Sequence, residues 1–237
     1  MLEIRDLVKH FQVGTGEPIH AVDGVSMTVP AGESVALYGP SGSGKTTLVN
    51  VIAGLQRPDS GRVLVAGRDV VAMNAKEAAD YRRNDIGIVL SPETLMPGTK
   101  ILRAASVKFV MEGVADAERK AAPLLEEFGL GDRLQHRTGQ LSMGERQRLL
   151  VAIALSLKPK LLLADEPTGS LDTDRTREVL SLLRGLCRTR NMALLLVTHD
   201  PEAATFADRL LELRDGHLQA YQPDHPTTPA MASPPSI

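Results

Sequence analysis

Aromatic side chains are scarce in this chain of 237 residues: Phe, Trp and Tyr together make up 3% of it, and tryptophan is absent. This scarcity argues against proteins that bind single-stranded nucleic acid or glycans by stacking on aromatic side chains. An excess of one charge is also lacking, since the formal net charge is −2 and the sequence pI is about 6.3. Duplex DNA-binding proteins and polybasic membrane-surface proteins carry a basic patch. We therefore expect neither class, and no nucleic-acid partner.

Cysteine and long apolar runs are equally rare. The single cysteine, Cys187, excludes an internal disulfide and is interpreted as a small helix-face residue in a reducing compartment. The longest apolar runs, such as Leu161–Ala164 and Ala193–Val197, are far shorter than the roughly 20 residues that span a bilayer. The N-terminus also lacks the basic-then-apolar order of a signal peptide. We expect the chain to stay in the compartment where it is made and to reach a membrane only through a partner.

The short apolar segments that are present predict an α/β fold. Continuously apolar segments indicate strands of a parallel sheet covered on both faces by helices such as Thr46–Ala53 and Thr173–Thr189. These strands are Ser34–Tyr38, Ile86–Leu90, Leu161–Ala164 and Ala193–Val197. Earlier segments alternate between apolar and polar residues and predict an N-terminal antiparallel sheet with turns at Gly61 and Gly67. Its strands are Leu2–Val8, Val25–Val29 and Arg62–Val65.

Two further regions differ in composition from this α/β pattern. The strand signal disappears between Pro92 and Pro159, and we predict an inserted helical subdomain over residues 91–158 of a domain that spans residues 1–221. Its predicted helices are Ser142–Leu157 and Glu118–Phe128, the latter with Asp116 as N-cap, Gly129 as C-cap and strain at Pro123. Residues 222–237 are rich in proline and predict a disordered tail, with a ligand for a proline-binding domain as the alternative.

A glycine-rich motif follows the strand Ser34–Tyr38. The text GPSGSGKTT matches G-x-x-x-x-G-K-[ST] between a predicted strand and a predicted helix, where backbone amides and the helix N-terminus can surround a phosphate. Lys45 is expected to reach the β- and γ-phosphates, Thr46 to give Mg²⁺ an oxygen ligand, and Thr47 to contact the α-phosphate. The phosphate-binding residues are Gly39, Pro40, Ser41, Gly42, Ser43, Gly44, Lys45, Thr46 and Thr47.

Two carboxylates end the apolar strand Leu161–Ala164. Asp165 and Glu166 are placed at the C-terminal edge of the sheet, where the phosphate loop also lies. Asp165 is suited to the Mg²⁺ shell, and Glu166 is placed to polarise the water that attacks the γ-phosphate. A pair of solvated carboxylates before a turn is the alternative.

A second helix N-terminus also has the features of an anion site. In the text LSMGERQR, Ser142 and Glu145 form a capping box, and Ser142 and the amide of Gly144 lie at the start of a helix. Both descriptions can hold together. A single chain has no evident use for two phosphate sites.

Four motifs in this order resemble the ATP-binding subunits of ABC transporters: GPSGSGKTT, LSMGERQR, LLLADEPTGSLD and LLVTHD. The resemblance extends from Leu2 to about Tyr221. EPTGSLD, HRTGQLSMGERQR and the short single-domain length are most similar to the lipoprotein-release, macrolide-efflux and cell-division group of these ATPases. The implied fold is a P-loop NTPase of ABC type.

The resemblance implies a head-to-tail dimer in which Ser142 and Gly144 of one subunit contact the γ-phosphate of ATP bound to the other. Asp172 matches the loop that crosses this interface, although it also suits an N-cap of Thr173–Thr189. His199 matches a histidine that contacts the γ-phosphate, with a structural role as its alternative. Phe11 matches an aromatic that stacks on adenine, with a place in the core as its alternative.

Several positions depart from the family pattern. Ser91-Pro92 stands where a glutamine is usual, Met143 replaces the first glycine of the signature pair, and Ile153 replaces a common arginine. Arg103-Ala104 stands where relatives usually carry Glu-Asn. Because serine is shorter than glutamine, we expect weaker coupling or slower turnover, unless the interface has another geometry.

The leading hypothesis is therefore an ATPase that binds ATP and Mg²⁺, dimerises with itself or with a second ATPase chain, and powers a separate transmembrane permease. It implies a peripheral place on the cytoplasmic face of the membrane, with Lys45, Glu166 and His199 as catalytic residues. The alternative is an ATP-dependent regulatory or scaffold dimer with little turnover. An ABC-type DNA-repair or translation ATPase is disfavoured, since no coiled-coil insert, second cassette or basic surface is present. Cargo and direction of transport do not follow from the sequence.

Overall fold

The computed structural model describes residues 1–12, 14, 17–89, 92–169 and 171–221. Two sheets and the helices around them account for most of these residues. The strands are β1 (Leu2–Phe11), β2 (Ile19–Val29), β3 (Ser34–Tyr38), β4 (Ser60–Val65), β5 (Arg68–Asp69), β6 (Ile86–Val89), β7 (Leu161–Asp165), β8 (Ala193–Thr198), β9 (Arg209–Arg214) and β10 (His217–Ala220). The helices are α1 (Lys45–Ile52), α2 (Ala75–Asn84), α3 (Ile101–Met111), α4 (Ala117–Glu127), α5 (Met143–Leu155), α6 (Thr173–Thr189) and α7 (Pro201–Ala204).

The central sheet has the strand order β10-β9-β3-β8-β7-β6, and every neighbouring pair is parallel except β9 and β10. Its middle strands are buried, except at Tyr38 at the end of β3, because both faces are covered. Leu195 and Val197 pack on one face with the antiparallel sheet and α1, whereas Leu194 and Leu196 pack on the other with α5 and α6. Because successive side chains of a strand point to opposite faces, the apolar residues of β8 are divided between two hydrophobic cores.

The second sheet is antiparallel and has the order β2-β1-β4-β5. It packs against one face of the central sheet through residues such as Leu2, Ile4 and Val63. The predicted N-terminal antiparallel sheet is therefore confirmed. Gly61 is an exception, because it lies inside β4 with a φ of +91° rather than in a turn. A β-carbon there would lie 2.5 Å from the carbonyl oxygen of Asp6, so the neighbouring strand requires glycine.

Between β6 and β7, the described residues 92–160 form helices joined by turns and loops, with one isolated bridge between Lys100 and Arg137. Helix α4 continues through Pro123. Asp116 occupies the N-cap position but makes no capping hydrogen bond. Its backbone is left-handed, with a φ of +54°, and its carboxylate pairs with Arg119 instead. The expectation of a side-chain cap there was wrong. The subdomain boundaries and the tail at residues 222–237 remain predictions, and the tail lies outside the described residues.

An ionic cluster at the surface joins the start of β9 to β3 and α6. Asp208 accepts hydrogen bonds from the backbone and side chain of Ser34 and from Arg184 and Arg188. Burial alone would raise the pKa of Asp208, but the hydrogen bonds together outweigh burial and hold it well below its ordinary range. The carboxylate is therefore ionised throughout the neutral and mildly acidic range.

Candidate functional site

The loop between β3 and α1 is shaped by glycines that no other residue can replace. Gly44 has a φ of +102°, and a β-carbon at this position would lie 1.7 Å from the carbonyl oxygen of Ala21 in β2. At Gly39 a β-carbon would lie 2.2 Å from the carbonyl oxygen of Leu213 in β9. The loop is thus held between the antiparallel sheet and β9, with its amides at the N-terminus of α1.

Two side chains of this loop have the features of a phosphate site. Lys45 is buried, and its Nζ donates to the carbonyl oxygens of Gly39 and Pro40, each at 2.7 Å. Burial lowers the pKa of Lys45, while the charges of Glu166 and Asp165 raise it in part. The Oγ of Ser43 is buried without a hydrogen-bond partner among the described residues. A buried hydroxyl of this kind is suited to a bound phosphate oxygen.

The two predicted Mg²⁺ ligands, Thr46 and Asp165, lie close together where α1 begins and β7 ends. Thr46 Oγ1 donates to Asp165 Oδ2 across 3.4 Å. Burial raises the pKa of Asp165, and the nearby charge of Glu166 raises it further, whereas Thr46 and Lys45 lower it. A half-buried carboxylate beside a hydroxyl is a hard oxygen site that a divalent cation would stabilise.

Glu166 and His199 form a hydrogen-bonded pair. Glu166 Oε1 accepts from the backbone amide of His199 at 2.9 Å and lies 2.7 Å from its Nδ1, and Thr198 Oγ1 donates to Oε2 at 3.3 Å. The backbone of Glu166 is left-handed, with a φ of +48°, and its amide donates to the carbonyl of Val197 in β8. Strain of this kind in a non-glycine residue is typical of functional sites. Thr198 was not singled out from the sequence, although it directly precedes His199.

Ser142 and Gly144 lie elsewhere in the chain. Ser142 caps α5 and forms the predicted capping box with Glu145. Both residues line a cavity of about 680 Å³ between the helical region and α6, together with Arg148 and Arg175. No residue of the phosphate loop lines this cavity. The described chain therefore does not bring its two anion sites to one cavity.

Asp172 and Phe11 were each given two alternative roles by the sequence, and the structure tests the structural alternative of each. Asp172 caps α6, because its Oδ1 accepts from the amide of Arg175 at 2.9 Å, and it also pairs with the Arg175 guanidinium. Phe11, at the end of β1, is 36% exposed and lies outside both hydrophobic cores. Lys9 Nζ lies 5.6 Å from the centre of its ring. The core alternative for Phe11 is thus wrong, and an accessible ring face remains.

The remaining predicted residues are distributed as follows. Pro40, Ser41 and Gly42 are exposed at the tip of the loop, and Thr47 is partly buried in α1. Ser91 lies outside the described residues. Met143 begins α5, where it is partly buried, and Ile153 packs against the core beneath the helical region. Arg103 is exposed on α3.

The order of the strands explains why distant motifs meet. β3, β8 and β7 are neighbours, so the phosphate loop, His199 and the carboxylates of Asp165 and Glu166 all lie at their C-terminal ends. Comparison with known proteins agrees with this arrangement, since the profile of the ABC transporter family matches residues 22–169. The chain belongs to the ABC transporter family.

Individual relatives refine this assignment. The lipoprotein-releasing system ATP-binding protein LolD 2 of Chlorobaculum tepidum is 40% identical over 93% of this chain and 92% of its own length. The macrolide export ATP-binding/permease protein MacB of Rhodopirellula baltica is 41% identical over 91% of this chain but only 32% of its own length. A dimeric post-hydrolysis structure of the cassette MJ0796 with ADP and Pi matches with a TM-score of 0.81 and 29% identity, covering 94% of this chain and all of the other.

These matches confirm the predicted P-loop fold of ABC type and the predicted group for lipoprotein release and macrolide efflux. The chain is an ATP-binding and ATP-hydrolysing subunit of an ABC transporter. Among the described residues, no helix is both long and apolar enough to cross a membrane.

Proposed function

We propose that two copies of this chain close around ATP and Mg²⁺ and that hydrolysis assisted by Glu166 reopens them to drive a transmembrane permease. The observation that carries the proposal is the hydrogen-bonded pair of Glu166 and His199 beside Asp165, Thr46 and Lys45. Each of these groups has a role in phosphoryl transfer to water.

Thr46 and Asp165 are the residues that would hold Mg²⁺. Their oxygens fit a hard cation, and burial together with the charge of Glu166 raises the pKa of Asp165, an effect that a bound cation would oppose. When bound, Mg²⁺ neutralises charge on the β- and γ-phosphates.

Lys45 exchanges its two carbonyl partners for phosphate oxygens when ATP enters the loop. Glu166 then accepts a proton from the attacking water through a carboxylate oxygen. Since Nδ1 of His199 faces Glu166, its Nε2 is left for the γ-phosphate. Phe11 offers its exposed ring to adenine.

The second anion site supports a head-to-tail dimer. Ser142 and Gly144 line a cavity without residues of the phosphate loop, so a second subunit is needed to supply them to the γ-phosphate. Asp172 caps α6 and pairs with Arg175, which lines this cavity, so it would lie at the same interface.

We assign permease docking to an exposed apolar surface of α3. Val107, Val110 and Met111 are 45%, 62% and 60% exposed, and Met96 nearby in sequence is 74% exposed. Apolar side chains grouped on one helix indicate a protein interface. This interaction would hold the chain at the cytoplasmic face of the membrane. An amphiphilic cargo, lipid-linked or drug-like, is proposed from the names of the relatives.

The catalytic proposal is tested by the ATPase rate as a function of protein concentration. We expect the rate to rise more steeply than linearly and to fall by more than about 100-fold in Glu166→Gln, because a positioned general base contributes at least that much. Glu118→Gln, an exposed carboxylate on α4, is the matched control and should leave the rate unchanged. ATP should also trap Glu166→Gln as a dimer in gel filtration.

If the unaltered chain hydrolyses ATP no faster than Glu166→Gln but still forms ATP-dependent dimers, the result would instead favour the regulatory or scaffold dimer. Met143, the first residue of α5, stands where the family pattern has the first glycine of the signature pair, and this departure favours the second function.

Docking on α3 is tested separately by fractionation of source cells. Val110→Asp combined with Met111→Asp should release the chain from the membrane fraction. Leu55→Asp, which alters an apolar side chain of similar exposure (60%) after α1, should not. Equal release by both variants would contradict the assignment.

A further inference from the structure

Three histidines surround one carboxylate at the junction of β1, β2 and β10. His10 and His20 face each other across β1 and β2, with ring centres 3.9 Å apart, and Asp23 follows in β2. Nε2 of His217, the first residue of β10, lies 3.8 Å from the same carboxylate. Hydrolysis of ATP requires none of these four side chains.

The separations within this cluster are those of a metal-binding site. His10 Nε2 lies 3.6 Å from Asp23 Oδ1, and His20 Nδ1 lies 3.2 Å from Asp23 Oδ2. All three ligand atoms are within 4.8 Å of one another. Two ligands in a tetrahedral zinc site are about 3.3 Å apart, given metal–ligand bonds of about 2.0–2.1 Å. Small rotations of the side chains would therefore complete the geometry.

An unpartnered nitrogen is the second observation. His10 Nε2 is buried and has no hydrogen-bond partner among the described residues, since 3.6 Å to Asp23 is too long for a hydrogen bond. A buried polar atom of this kind requires a partner. A cation between His10 and Asp23 would supply one.

His217 lies beside the same residue through both of its ring nitrogens. Its Nδ1 lies 3.1 Å from the backbone carbonyl oxygen of Asp23, which can accept only from a protonated ring nitrogen. The neutral ring then carries its lone pair on Nε2, which lies 3.8 Å from Asp23 Oδ2. Histidine ligands in proteins are commonly fixed by a backbone carbonyl in this way.

We propose that His10, His20 and Asp23 form a binding site for a first-row transition-metal dication, with Zn²⁺ the best match and His217 the candidate fourth ligand. Imidazole and carboxylate together favour zinc over Mg²⁺ and Ca²⁺, which take oxygen ligands.

The site lies where a bound cation would join several elements. Asp23 donates its backbone amide to the carbonyl of Gly216, so β2 already contacts the β9–β10 turn. The neighbouring Ala21 packs against Gly44 of the phosphate loop, and Phe11 follows His10. Metal binding would therefore stiffen the adenine end of the nucleotide site.

The test is a titration of the untagged, chelator-treated full chain with Zn²⁺ by calorimetry, and with Co²⁺ by its visible absorption. One equivalent should bind, with the intense absorption of a tetrahedral cobalt site. His20→Asn should weaken binding by more than about 100-fold, because even the loss of a second-shell partner costs about 10- to 100-fold. His217→Asn should weaken it by about 10-fold or more.

Two controls separate this site from others. His136→Asn alters a histidine of the helical region whose ring has no described hydrogen bond, and it should leave the titration unchanged. His199→Asn tests whether the metal instead binds at Glu166 and His199. The proposal is overturned if His20→Asn binds Zn²⁺ like the unaltered chain, or if only His199→Asn loses binding. Unchanged thermal unfolding of His20→Asn without metal would show that the variant is folded.

Discussion

Lys108 offers a quantitative test of how burial alone alters a charge in this fold. It lies on α3, where its Nζ donates to the backbone carbonyl of Ile86 at 3.3 Å, and it has no carboxylate partner among the described residues. Burial lowers the pKa of Lys108 from 10.5 to about 8. Each factor of ten in proton affinity is worth about 1.4 kcal/mol, so the buried charge costs about 3 kcal/mol at neutral pH.

Lys108→Met removes this cost while keeping an unbranched apolar side chain. It also leaves the carbonyl of Ile86 without its donor, a loss of about 1 kcal/mol. We therefore expect the free energy of unfolding at pH 7 to rise by about 2 kcal/mol. For a chain of this length, the melting temperature should rise by about 4–8 °C.

The pH dependence gives the sign of the effect. Between about pH 8 and 10.5 the native state has released the proton that the unfolded state still binds, so the unaltered chain gains stability as pH rises. The advantage of Lys108→Met should thus be largest below pH 8 and should shrink towards pH 10.5. Urea unfolding at pH 7, 8 and 9.5 measures it, with Lys120→Met on the exposed face of α4 as control. A constant difference across this range, or a loss of stability at pH 7, would refute the reasoning.

Three other variants test the fold around the site. Gly44→Ala should abolish ATP binding in a fluorescence titration and lower the free energy of unfolding by more than about 2 kcal/mol, because both its φ and the contact with β2 forbid a β-carbon. Gly42→Ala should lower the free energy of unfolding by less, because there is open space around Gly42. Asp208→Asn should lower the melting temperature at pH 7. The difference from the unaltered chain should narrow as pH falls below about 4, because the pKa of Asp208 is lower in the native state than in the unfolded state and acid therefore removes its contribution to stability. Tyr81→Phe should lower the free energy of unfolding in urea by about 1 kcal/mol, since the buried hydroxyl donates to the carbonyl of Ile52 at 2.8 Å.

Much of the nucleotide site is predictable because its motifs depend on short, local patterns. The phosphate loop needs glycine where φ is positive, and α6 begins at Thr173, directly after its capping Asp172, as its helix pattern predicts. The pair of Glu166 and His199 is different. Each residue was identified by its own strand end, but their hydrogen bond depends on β7 and β8 being neighbours.

Other features depend on contacts that no local pattern encodes. β9 and β10 were not predicted, because β9 has charged residues among its apolar ones and β10 is short and largely exposed. Their hairpin brings His217 to Asp23, almost 200 residues away in sequence, and with it the histidine cluster. The burial of Lys108 likewise depends on how α3 lies over β6.

The separation of the two anion sites gives the dimer a thermodynamic role. In one chain, Ser142 and Gly144 line a cavity bordered by α6, whereas Lys45 and Thr46 begin α1, near the C-terminal end of β7. A ligand that contacts both sets, one from each of two chains, binds the dimer in preference to the monomer and therefore shifts the equilibrium towards the dimer. In the proposed dimer, hydrolysis would remove the γ-phosphate that both sets contact, so the contact that closes the dimer would be the one that catalysis breaks. In this proposal, Glu166 is the residue through which hydrolysis controls association of the two chains.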